Sequence, residues 1–121
     1  MASLLRSVSA VRIFTRDLDR ARDFYAGTLA LAEEARGPGY VVFDLAGVDI
    51  IVEAVEPGDP EGDELVGRLI ATSFRVDDVE AVYRHLSGQG VPFIQPAEKQ
   101  GWGGTLAFAR DPDENVITLV D

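Results

Sequence analysis

A chain of 121 residues is long enough to bury a core without metal or disulfide staples. It has no cysteine, which excludes disulfide frameworks, thiolate metal sites and cysteine nucleophiles. Eleven Lys and Arg against twenty-one Asp and Glu give a net charge of −10, which repels phosphate backbones and anionic membranes, so neither nucleic acid nor membrane is an expected partner.

The opening MASLLRSVSAVRIF has too short an apolar run for a signal peptide. No later run approaches the roughly eighteen apolar residues of a membrane span, and a cytoplasmic protein is expected. Val8 to Thr15 reads as a strand, with Val11 and Ile13 on one face and Ala10, Arg12 and Phe14 on the other. The period then changes. Asp17 is placed to cap a helix over LDRARDFYAG, where Leu18, Ala21, Phe24 and Tyr25 form an apolar stripe and Gly27 offers a stop. Leu29 to Ala35 fits either type of element. After Gly37-Pro38-Gly39, Tyr40 to Leu45 and Val48 to Val55 read as a hairpin around Ala46-Gly47.

Residues 57–68 begin with a run of Pro, Gly and acids and read as a linker between halves. Beyond it, Leu69 to Val76 is a strand, and Asp77 or Asp78 caps a helix through Leu86 that Gly88 and Gly90 close. Val91 to Ile94 begins another strand, and a loop spans Pro96 to Gly101. Thr105 to Ala109 and Val116 to Val120 form a closing hairpin around Asp111-Pro112-Asp113-Glu114-Asn115. Its turn needs a positive φ, which falls on Glu114 or Asn115 at a cost of about 1 kcal/mol.

The order strand, helix, strands therefore occurs twice. Shifting by 61 positions lays Ile13 on Phe74, Asp17 on Asp78 and Leu18 on Val79; shifting by 65 lays Ile51–Glu56 on Val116–Asp121. The expected fold is α+β, one domain over residues 1–121, with βαβββ modules at about 8–56 and 69–121 whose mixed sheets curve around a groove. Strand parity assigns Arg12, Phe14, Glu53, Ser73, Arg75 and Thr118 to the groove, where Tyr40 and Trp102 add flat apolar surfaces. Inside such a groove Arg12 and Arg75 need an anion, either Glu53 or a bound carboxylate or phosphate.

RDLDRARDFY (16–25), FRVDDVEAVYRHL (74–86) and above all DPD-x-N within WGGTLAFARDPDENVITLVD resemble the vicinal oxygen chelate superfamily, which includes glyoxalase I, extradiol dioxygenases and bleomycin-resistance proteins. The resemblance runs from about Val8 to Asp121 and implies an open groove and a homodimer. In the enzymes, four strand positions hold one divalent metal; carried over, they are Ala10, Glu53, Ala71 and Thr118. Only Glu53 is a good ligand, so no metal or other cofactor is expected. His85, the sole histidine, reads as a solvated helical residue. What the resemblance then implies is a small-molecule-binding protein of the bleomycin-resistance, drug- or metabolite-sequestering type. The alternative is a glyoxalase-like lyase or isomerase, or a dioxygenase-related enzyme, with Glu53 as catalytic base or metal ligand.

Overall fold

The repeated pattern folds into two four-stranded sheets of the same topology, in a computed structural model that describes residues 2–121. The first module runs β1 (Ala10–Thr15), α1 (Leu18–Arg22), β2 (Ala32–Gly37), β3 (Tyr40–Leu45) and β4 (Val48–Ala54). After α2 (Pro60–Leu65), the second runs β5 (Leu69–Arg75), α3 (Val79–Gly88), β6 (Phe93–Lys99), β7 (Thr105–Arg110) and β8 (Val116–Val120). The sheet orders are β1-β4-β3-β2 and β5-β8-β7-β6. The β1–β4 and β5–β8 ladders are parallel and the others antiparallel. Parallel neighbours cannot be joined by a tight turn, and in each module the helix and the intervening strands supply the crossover.

Asp17 caps α1 by accepting a hydrogen bond from the Arg20 amide at 3.0 Å. The helix then widens into a π turn over Asp23–Thr28, in which the Leu29 amide reaches back to the Phe24 carbonyl at 2.9 Å. This turn accommodates two adjacent aromatics in the core. Phe24 and Tyr25 are both buried and meet edge-on, with ring centroids 5.1 Å apart. Burial of each ring stabilises by roughly 1.5–3 kcal/mol, enough to offset the poorer backbone geometry.

Strand parity sorts the first sheet as expected. Ile13, Val41, Phe43, Ile50 and Val52 are buried beneath α1, while Arg12, Tyr40 and Asp44 on the other face are exposed. Leu86, Ile117 and Leu119 of the second module belong to the same apolar cluster, so the two modules share one core.

Three segments differ from the sequence reading. The 57–68 linker contains α2, because Asp59 accepts from the Glu61 amide at 3.1 Å and Pro60 suits the first helical position. The ambiguous stretch after Leu29 becomes β2, whose pairing with β3 shifts register between Glu33 and Ala35. The expected loop at Pro96 is instead strand through Lys99. β6 lies at the sheet edge and its register shifts between Gln95 and Glu98, which is where a residue without an N–H is tolerated. Positive φ falls on Glu114 (67°), and on Ala46 (52°) and Gly47 (87°) in the β3–β4 hairpin. Among the described residues no helix is long and apolar enough to cross a membrane.

Candidate ligand-binding site

On the open face of the first sheet, Arg12 and Glu53 form a two-pronged pair. Arg12 Nε donates to Glu53 Oε2 at 2.6 Å and Nη2 to Oε1 at 3.0 Å. The ladder sets Glu53 beside Phe14 on one side and Tyr40 on the other. The Arg12 guanidinium carbon lies 5.3 Å from the centre of the Phe14 ring, a cation–π arrangement worth about 0.5–1 kcal/mol where exposed. Hydrogen bonding to Glu53 and its charge hold Arg12 above the usual arginine pKa. The pair is not interior, since the Arg12 side chain is 61% exposed and that of Glu53 26%.

Arg75 takes no part in it. Its guanidinium donates to the Asp121 carbonyl at 2.9 Å, and the residue is exposed, so the expected interior network of two arginines around Glu53 reduces to Arg12 alone. In the second sheet Ser73 pairs with Thr118, which is buried and has Phe108 as its other neighbour. Trp102 is 64% exposed at the β6–β7 turn, its ring laid over Gly104 as the Tyr40 ring is laid over Gly37; a Cβ at either glycine would collide with the ring. His85 is exposed on α3.

A cleft of about 340 Å³ opens where β1 and β5 approach. Arg12 and Phe14 line it together with Ala10, Ala71, Leu65 and Arg68. Tyr40, Glu53, Ser73, Arg75, Trp102 and Thr118 lie outside that lining. Arg68 and Leu65 come from the stretch that reads as linker, and their sequence signal is faint: one cation and one leucine after a run of acids.

The Asp111–Asn115 turn has a role that turn propensity does not reveal. Asp113 accepts from the Thr15 hydroxyl at 2.5 Å, the Arg16 amide at 2.9 Å and Arg20 Nη2 at 3.0 Å. Asn115 donates to the Phe14 carbonyl at 2.9 Å and accepts from the Gly67 amide at 2.8 Å. Asp111 accepts from the Tyr25 hydroxyl at 2.7 Å and from Asn115 Nδ2 at 2.9 Å. The turn thus clamps the second module to the end of β1 and to the helix that follows it, fixing the strand that carries Arg12 and Phe14. Burial pushes the Asp111 carboxyl up despite these donors, and burial beside Asp111 pushes the Tyr25 phenol up, so it remains a neutral donor.

A divalent ion does not fit the donors at the four groove positions. Arg12 pairs with Ile51 and Ser73 with Thr118, so the ladders match Ile51, not Glu53, to Thr118. The alignment by 65 positions is therefore out of step with the strands by one pair on the same face. With Ile51 the four positions hold no carboxylate; with Glu53 they hold one, and both of its oxygens already bind Arg12. A methyl group donates nothing and a neutral threonine hydroxyl is a poor ligand.

Paired βαβββ modules, a shared core and an open cleft lined by two arginines define an α+β domain built to display a concave site. The chain belongs to the Glyoxalase/Bleomycin resistance protein/Dioxygenase superfamily, whose sequence model matches residues 7–119. It is 29% identical over 115 residues to a bleomycin resistance protein of Klebsiella pneumoniae, covering 88% of this chain and 85% of that one. A member of the same superfamily from Sphaerobacter thermophilus DSM 20745 superposes with a TM-score of 0.77 at 27% identity, covering 98% of each chain. A lactoylglutathione lyase from Agrobacterium tumefaciens has the same fold, with a TM-score of 0.77 at 18% identity over 94% of this chain and 92% of that one.

Proposed function

We propose that this chain is a metal-independent small-molecule-binding protein of the bleomycin-resistance type, which sequesters a drug or metabolite in its groove as a cytoplasmic homodimer. The observation that carries the reading is the engagement of both Glu53 oxygens by Arg12. A carboxylate held in this way lies behind Arg12, outside the lining of the cleft, and orients that arginine. To act as a general base or metal ligand it would first have to leave a charge-assisted, two-pronged partner. The likeness to the Klebsiella protein supports the same reading. Support for a second copy comes from the open face of β5, where Ser73 and Arg75, outside the lining of the cleft, are exposed.

Native mass spectrometry of the purified protein tests this directly. A dimer that releases a small organic molecule on denaturation, and that binds it again after chelator treatment, is the expected result. Turnover of a glyoxalase-type substrate that is abolished by Glu53→Gln would overturn the proposal in favour of an enzyme.

A further inference from the structure

Acids outnumber bases twenty-one to eleven in this chain, yet the residues lining the 340 Å³ cleft include two arginines, Arg12 and Arg68, and no acid. Arg12 is neutralised by Glu53. Arg68 is not: among the described residues its guanidinium makes no ion pair and no hydrogen bond. Its backbone, in contrast, is tied down on both sides. The Arg68 amide donates to Asn115 Oδ1 at 3.3 Å, and its carbonyl accepts from the Val116 amide at 2.8 Å. The preceding Gly67 holds a φ of +76° and donates to the same Asn115 oxygen at 2.8 Å. The clamp that joins the modules therefore also fixes the point from which Arg68 projects, while its charge is left without a partner.

Resting on the binding reading above, we infer that the guest is a small monocarboxylate with a compact apolar body, its carboxylate held by Arg68 and its body against Phe14, Leu65 and Leu69. A planar guanidinium matches a carboxylate through paired N–H donors, which an ammonium or a neutral group on the guest cannot exploit. One uncompensated arginine in a chain of net charge −10 favours a single negative charge over two. The cleft volume is at the small end of ligand pockets and suits a bicyclic aromatic acid better than a large antibiotic.

The test uses three probes of one shape: 1-naphthoate, 1-naphthamide and 1-naphthylmethylamine, titrated calorimetrically into the full chain at low salt. The expected result is saturable binding of naphthoate at least about tenfold tighter than of the amide, since only the carboxylate gives the guanidinium a charged, two-oxygen partner. Arg68→Gln should remove that advantage and leave amide binding unchanged. The Gln variant keeps the backbone bonds to Asn115 and Val116, and an unaltered melting temperature confirms that it folds. Amide or amine binding as tightly as naphthoate, or naphthoate binding indifferent to Arg68→Gln, overturns the inference and leaves the binding function standing. Failure of all three probes to bind at millimolar concentration also overturns the inference, while the binding function is decided separately by the native mass spectrometry described above.

Discussion

The hydroxyl of Tyr25 donates to the buried carboxylate of Asp111 at 2.7 Å, joining residues 86 positions apart and locking the first helix to the last hairpin. Deleting the hydroxyl leaves the ring packing intact but removes one donor from a buried anion, which costs about 1–3 kcal/mol. Tyr25→Phe should therefore lower Tm by roughly 4–12 °C at pH 7. The sign of its pH dependence follows from Asp111, whose pKa is raised by burial and restrained by hydrogen bonds from Asn115 and Tyr25. A raised carboxyl contributes stability that is present below its unfolded value and lost as pH rises through its folded value. Without the Tyr25 donor that loss deepens, so the gap between variant and wild type narrows as pH falls toward about 4. Denaturant midpoints from pH 4 to 7 measure it; a constant gap would show that Asp111 does not titrate in that range.

Glu34, Asp44 and Asp49 crowd together across β2, β3 and β4, with carboxyl oxygens within 4.8 Å of one another. The Glu34 carboxyl is pushed up, first by its hydrogen bond with Asp49 and then by that residue's charge. The folded state therefore holds this proton more tightly than the unfolded chain does, and the arrangement loses stability as pH rises through the folded value. Glu34→Gln removes the repulsion. Its Tm should exceed that of wild type at pH 7, with the difference vanishing near the ordinary glutamate pKa of about 4.3. A lower Tm for the variant at pH 7 would contradict the assignment.

The closing hairpin carries its backbone strain at Glu114, φ +67°, with the side chain exposed. A non-glycine residue there costs about 1–2 kcal/mol, against up to about 1 kcal/mol of extra chain entropy that glycine loses on folding. Glu114→Gly should raise Tm by a few degrees. The hydrogen bond from the Glu114 amide to the Asp111 carbonyl at 2.9 Å, which any residue can make, is retained. An unchanged or lower midpoint would place the strain elsewhere.

Much of this architecture is legible in the sequence because it depends on local chemistry. Alternation of apolar residues sets the faces of β1 and β4, Asp17 and Asp78 cap their helices, and the turn residues before Val116 predict the closing hairpin and restrict its strained position to two residues. What was hidden depends on partners distant in sequence. Pro96 reads as loop because its edge position is a property of the sheet, and α2 is masked by the turn formers around it. At the site, Arg12 and Glu53 share a face by parity, but parity cannot say that Arg75 turns instead to Asp121. Nor can it give the ladder register that sets Ile51 opposite Arg12. Arg68 carries no motif at all; it stands out only once β1 and β5 are seen to share a cleft without an acid.

The proposed function depends most on a groove that holds its guest without an ion. Chelator-treated protein titrated calorimetrically with Zn²⁺ and with Ni²⁺ tests this most directly. The prediction is no saturable binding at one equivalent per chain and no rise in Tm at stoichiometric metal, for wild type and Glu53→Gln alike. A single ion bound per chain, raising Tm and lost in Glu53→Gln, would contradict it.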